Sequence, residues 1–271
     1  MRVGRALLYV LLGGSLLTMV FPLYWMLILS LKPEGFQLAG LPDLLPLGLT
    51  FENYRDVWAE GHFGRYFVNS TVVAIFVVAG NVLFSSMVGY ALARRRFPGK
   101  KLLWAAILAT LMIPKQIVMI PIYVLSLRMG ILDTYLALIL PFLVDAFSVF
   151  LMRQYISQLP EDLEESARVD GAGDWTVLFR VVMPLARPAL AVVAINAFLV
   201  NWNSFLYPLI LTSSQNMRTL PVGLAMYSQG AHGVEWGHMM AGSFLATLPV
   251  LVVFLVFQRH IIEGITAGAG K

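Results

Sequence analysis

Cysteine is absent from the chain, which excludes disulfides and thiolate metal sites outright and says little about compartment. Charge is scarce as well. Only 13% of the 271 residues are Asp, Glu, Lys or Arg, against about 25% in soluble domains. No Gly-x-x-x-x-Gly-Lys-Ser/Thr loop occurs, and Gly99-Lys100 lacks both the first glycine and the hydroxyl residue, so the chain has no phosphate cradle of its own. An intramembrane hydrolase is the rival from another class. It would need His-Glu-x-x-His, a Gly-x-Ser-x-Gly elbow or paired intramembrane carboxylates, and none is present. Internal repeats, low-complexity tracts and polar segments long enough for a separate soluble domain are missing too.

What is abundant is apolar surface: 59% of the residues are hydrophobic and the mean hydropathy is +0.77. A soluble fold of this length could not hide so much of it, so lipid must take up the excess. Six stretches can each cross about 30 Å of hydrocarbon. They run Ala6–Leu31, Tyr66–Ala93, Leu102–Leu125, Thr134–Gln154, Pro188–Thr212 and Ala241–Phe257. The first is far longer than the apolar core of a signal peptide and no small-residue cleavage site closes it, so it reads as a retained span. The expectation is an all-α membrane protein of six spans, a single domain over residues 1–271.

With the N-terminus inside, thirteen Lys and Arg fall in inner segments and five in outer ones, leaving Lys115 within a span. That asymmetry predicts both termini in the cytoplasm. The densest cluster, Arg94-Arg95-Arg96-Phe97-Pro98-Gly99-Lys100-Lys101, sits in a short hinge between spans. It serves as a topology anchor, and its setting argues against nucleic acid as a partner. The outer segments Lys32–Arg65 and Ser213–Met240 are long enough to carry structure, and the first is available to a partner. His232, Glu235 and His238, spaced by three and three, suggest a metal set, but the stretch is glycine-flanked and no metal is expected there.

The loop between the fourth and fifth spans, residues 159–187, breaks the apolar pattern. Pro160 suits a first helical turn, and Glu161, Asp162 and Glu164 complement the positive end of the helix. Gly171 stops it by accepting the left-handed conformation. Asp174 can cap a second short helix ending before Pro184. The two together predict a rigid knob. The fifth span carries Asn196, Asn203 and Tyr207 at i, i+7 and i+11, on one helix face, where planar amides and an aromatic edge suit a sugar; interhelical hydrogen bonding would explain the same residues. Lys115 and Asp145, in the third and fourth spans, each cost about 2.5–3.5 kcal/mol at a helix centre. Counted along straight helices they reach the same depth, which predicts a pair or a shared wet cavity; a lysine snorkelling to the interface is the alternative.

The 159–187 loop resembles the Glu-Ala-Ala loop of binding-protein-dependent ABC importer permeases. Glu165, Ser166, Ala167, Gly171, Val181, Met183 and Pro184 stand at its spacing, with Ser, Val and Met as modest departures and Asp170 beside the glycine. Trp202-Asn203-x-Phe205-x-x-Pro208-Leu209, Thr219-Leu220-Pro221-x-Gly223-Leu224 and the tail from Gln258-Arg259 through Gly264-Ile265-Thr266-Ala267-Gly268-Ala269 are similar to the carbohydrate-uptake permeases, in particular the six-span second maltose-type subunit. The resemblance implies that Glu165, Ser166, Ala167, Asp170, Gly171 and Pro184 couple to an ATPase. It implies half of a sugar path in a bacterial or archaeal plasma membrane, not an enzyme. The implied partners are a second homologous permease, two ATPase subunits that bind the ATP and Mg, an extracytoplasmic binding protein, a sugar and membrane lipid. No cofactor is expected in this chain. A glycerol phosphate permease shares the mechanism; an amino-acid or peptide permease shares the loop but not the fifth span and tail.

Overall fold

The computed structural model describes residues 2–33, 40, 45–59, 62–227 and 235–269, with side chains from residue 7 to residue 258 within those ranges. The described residues form helices and no strand. In chain order these are α1 (Arg2–Ser30), α2 (Glu52–Ala59), α3 (Phe63–Arg94), α4 (Lys100–Leu111), α5 (Lys115–Arg128), α6 (Tyr135–Ile139), α7 (Ala146–Ile156), α8 (Asp162–Val169), α9 (Asp174–Leu185), α10 (Arg187–Trp202), α11 (Leu206–Leu211), α12 (Leu220–Met226) and α13 (Trp236–Ala269). Four helices or helix runs are long and apolar enough to cross a membrane, and up to six if each sharply bent pair counts as one span. α1 shows why lipid or another protein is required: Leu11, Leu17 and Met19 are 60%, 73% and 76% exposed on a helix that carries no charge after Arg5.

The third span is not the continuous helix that its hydropathy suggests. α4 ends at Leu111, α5 starts at Lys115, and their axes differ by 106°. Pro114 marks the break: it has no N–H to donate to the preceding turn, and its own ψ of 128° lies outside the helical region. The count of depth along a straight helix therefore fails for Lys115. The fourth span is interrupted too, by a 3₁₀ turn at Leu140–Phe142 before α7 restarts at Ala146. In the fifth, α10 closes at Trp202 with Asn203 as its cap, and α11 begins only at Leu206.

Two compact units emerge. In one, residues 1–67 and 220–250, the buried Asn53 amide donates to Ser30 O at 2.9 Å and to Lys32 O, tying α2 to the end of α1. Phe63 is fully buried against Trp58 and Phe67, and burial pushes the Tyr227 hydroxyl up to about 12. In the other, residues 68–219 and 251–271, one core joins Tyr90 of α3, Met152 and Ile156 of α7, Val177 and Val182 of α9, and Val193 of α10. α3 and α7 meet closely at Gly89, where a Cβ would stand 2.7 Å from Met152 Cβ and 2.9 Å from the Arg153 nitrogen. Only glycine allows that approach.

Candidate functional site

The knob begins with α8. Its first turn carries Asp162, Glu164 and Glu165, which complement the unsatisfied N–H groups and positive end of the helix. It ends at Gly171, whose φ of +85° lies in the left-handed region. Gly171 N–H donates to Arg168 O at 3.0 Å and Ala172 N–H to Ala167 O at 2.9 Å, the reciprocal closure of a Schellman motif. The second knob helix differs from expectation. It does not stop before Pro184 but runs on to Leu185, and Gly173 caps it while Asp174 is its first residue. Pro184 fits because it stands at the start of a final α-helical turn, after a π-wound stretch, Val177–Val182. α9 and α10 meet at 83°.

The end of α3 clasps this knob. Arg94 Nε donates to Glu164 Oε1 at 2.7 Å, Nη1 to Glu161 Oε1 at 3.1 Å, and Nη2 to Leu159 O at 2.6 Å. Glu164 also accepts from Tyr90 OH at 3.1 Å and from Arg168 Nη2 at 3.4 Å. The Arg94 and Glu164 side chains are 6% and 4% exposed, so this is a buried, multiply bonded pair. Arg95 pairs with Asp174 at the head of α9. Burial works against the Arg95 charge, but Tyr90 and Asp174 outweigh it and its pKa lies above the ordinary arginine value. Glu165, Ser166 and Asp170 are exposed on the knob, Ala167 is half-buried, and Val169 is 88% exposed.

A cavity of about 680 Å³ opens in the same unit. The three helix breaks converge on it: Ile113 and Lys115 from the first, Val144 and Asp145 from the second, Asn203 and Phe205 from the third. Broken backbone at membrane depth is tolerated only where protein or a wet cavity satisfies the freed groups. Here Asn81, buried in α3, does much of that. Its amide donates to Val77 O at 3.0 Å and to Phe142 O at 2.8 Å, and its carbonyl accepts Asp145 N–H at 3.0 Å. Asp145 in turn caps α7 by accepting Phe147 N–H at 3.1 Å, and takes Lys115 Nζ at 2.9 Å.

Asn196, Asn203 and Tyr207 line this cavity as well. They do so for a different reason than a shared helix face, because α10 ends before Asn203 and Tyr207 belongs to α11. Asn203 spends an amide hydrogen on Leu199 O at 2.8 Å, and Tyr207 OH donates to Lys115 O at 2.6 Å while its ring meets Phe142 edge-on. Trp202 is buried, stacked on Phe198. Sequence reasoning assigns Glu164 to the helix end and Arg94 to a topology anchor without pairing them, and passes over Asn81. A polar side chain in the middle of an apolar span was the available signal for Asn81. Of the metal trio, His232 lies outside the described residues. His238 Nδ1 stands 3.3 Å from Glu235 Oε2 and Nε2 3.7 Å from Asp56 Oδ2, and among the described residues no three such side chains are placed to hold a metal ion.

Residues 82–266 match the family described as binding-protein-dependent transport system inner membrane component. The chain is 37% identical to the arabinooligosaccharides transport system permease protein AraQ of Bacillus subtilis, over 100% of this chain and 96% of that protein. It is 35% identical to the trehalose/maltose transport system permease protein MalG of Thermococcus litoralis, over 96% and 95%. Among solved structures it matches a chain of a bacterial ABC transporter involved in the import of the acidic polysaccharide alginate, with a TM-score of 0.83 and 25% identity over 95% of this chain and 96% of that one.

Proposed function

Since the chain belongs to the family of binding-protein-dependent transport system inner membrane components, we propose that it passes a sugar or oligosaccharide through the 680 Å³ cavity and is driven through the knob at residues 159–187. It is the membrane-spanning permease subunit of an ATP-driven importer and not an enzyme. The observation that carries the mechanism is the knob: a short helix closed at Gly171, clasped by a buried ion pair, with Glu165, Ser166 and Asp170 left exposed for a partner. A rigid lever of this kind transmits a rigid-body motion, where a loose loop would absorb it. Ala167 supports the exposed face from below, and Pro184 sets the final turn.

The partners in this reading are two ATPase subunits, which bind ATP and Mg, a second homologous permease that completes the cavity wall, and an extracytoplasmic protein that delivers the sugar. The chain is a single permease domain of the plasma membrane with both termini in the cytoplasm, which places the knob where the ATPase works. Access to the cavity alternates as the ATPase subunits close and open. The cavity volume falls in the range of about 300–1,000 Å³ typical of small-molecule sites. Its amides and aromatic edges suit hydroxyl groups, and Lys115, the one cation among the described residues that line it, is already paired with Asp145.

A thermal-shift scan of the cognate binding protein against oligosaccharides and glycerol phosphate, followed by uptake of the hits into vesicles holding the whole complex, tests this. Stabilisation by a neutral oligosaccharide with ATP-dependent uptake is expected. Uptake confined to glycerol phosphate would overturn the sugar assignment, and uptake that persists without this chain would overturn the permease role.

A further inference from the structure

Two neighbouring carboxylates of α8 face opposite ways. Glu165 is exposed, on the same stretch as Ser166 and Asp170. Glu164 is 3% exposed and points into the protein, where Arg94 Nε, Tyr90 OH and Arg168 Nη2 all donate to it. Arg94 completes the contact by holding Leu159 O and Glu161 as well, so one guanidinium grips the entrance and the first turns of α8 together. A planar fork with five donors can do this; an ammonium could not hold three acceptors in one plane.

Tyr90 and Arg94 are also the last turns of α3, and α3 is one wall of the cavity through Val73, Val77 and Asn81. From Arg94 to Asn81 is about 20 Å of uninterrupted helix at 1.5 Å per residue, with no proline inside to bend it. At its far end Asn81 bonds both Phe142 O and Asp145 N–H, the backbone groups freed by the break before α7. Asp145 then holds Lys115. Every link in this series is a specific hydrogen bond or a rigid helix, from the knob to the cavity wall.

We infer that Glu164 is a positioning residue for transport: through Arg94 it makes α3 move with the knob, so that the closure received at Glu165 reaches the cavity by way of Asn81. The two carboxylates divide the task. Glu165 faces the ATPase, and Glu164 faces the permease. This rests on the coupling reading of the knob, and the experiment separates the two.

The chain has no cysteine, so an introduced thiol is its only one. In the complete complex, Val169→Cys, 88% exposed on α8, is labelled with benzophenone-4-maleimide and photo-cross-linked to the ATPase subunit, which then needs no thiol of its own. In a second background, Val144→Cys, which lines the cavity beside the break that Asn81 holds, is labelled with a hydrophilic maleimide before and after trapping with ATP and vanadate. In otherwise unchanged complexes the cross-link forms and trapping changes the Val144→Cys labelling rate. Glu164→Gln keeps the cross-link, loses the labelling response, and lowers uptake about tenfold, an ordinary size for a coupling between sites. Tyr90→Phe, which removes one donor to Glu164 and keeps the ring in the core, moves labelling in the same direction by less, and it carries the test if Glu164→Gln fails to accumulate. Glu165→Ala loses the cross-link together with the response.

Three results would overturn the inference. A normal labelling response in both Glu164→Gln and Tyr90→Phe removes the route through α3. A cross-link lost in Glu164→Gln shows that Glu164 only shapes the knob. No cross-link in the Val169→Cys complex with Glu164 and Glu165 intact contradicts docking itself, and the inference falls with it.

Discussion

Lys115 Nζ stands 2.9 Å from Asp145 Oδ1, where Lys115 is the first residue of α5 and Asp145 the cap of α7, each at a break. A lysine at a helix start is poorly placed, since it meets the positive end of the helix, and the aspartate offsets this. Asp145 has a second duty as the cap of α7. The two duties separate by mutation. With side chains 61% and 28% exposed, the ion pair is worth about 0.2–1 kcal/mol, whereas a lost cap costs about 0.5–2 kcal/mol. Asp145→Asn, which keeps the cap, is therefore expected to lower the melting temperature of the purified complex less than Asp145→Ala. Equal losses would mean that the charge, and not the cap, dominates. A Lys115/Asp145 charge swap is not expected to restore function, because lysine cannot cap α7.

Asn81 carries three hydrogen bonds at a buried position in α3. Asn81→Ala leaves Phe142 O and Asp145 N–H without that partner, at about 1–3 kcal/mol for each group left unsatisfied. Lower thermal stability of the complex and reduced uptake are expected together. Unchanged stability would mean that water takes over the bonds and that the break needs no protein support.

Asn196, Asn203 and Tyr207 are expected to act on substrate. Asn203 retains its carbonyl and one amide hydrogen for a ligand after bonding Leu199 O. Asn196→Ala and Asn203→Ala should raise the KM of uptake several-fold while the amount of assembled complex stays constant. Tyr207→Phe also releases Lys115 O, so it should affect both. If KM holds while assembly falls in all three, these side chains serve packing.

The knob was legible because its signals are local. The first-turn acids and Gly171 act within a few residues of one another, and their spacing describes a helix that starts and stops; Pro160, expected in the first turn, instead precedes the Glu161 cap. Glu164 reads only as a helix-end acid in the sequence, for a physical reason. Its partner Arg94 lies 70 residues away, and nothing in the run of carboxylates says which one turns inward. Hydropathy likewise joins Leu102–Leu125 into one span because the apolar runs before Pro114 and after Gln116 outweigh the polar Lys115-Gln116 between them; the proline itself announces the break. Asn203 and Tyr207 were grouped by a helical period that stops at Trp202. They share a cavity because the chain turns there.

The coupling role of the knob is tested most directly at Gly171. A Cβ there would meet nothing within 4 Å, so any effect of substitution comes from its φ of +85° and not from bulk. Forcing an ordinary side chain into that conformation costs about 1–2 kcal/mol and re-aims the end of α8, while asparagine tolerates it. The decisive measurement is ATP hydrolysis by the reconstituted complex with and without substrate-loaded binding protein, for Gly171→Asn and Gly171→Leu. The account predicts near-normal stimulation for Gly171→Asn and loss of stimulation and uptake for Gly171→Leu, with both chains inserted at normal levels. Full stimulation and uptake in the Gly171→Leu complex would contradict it.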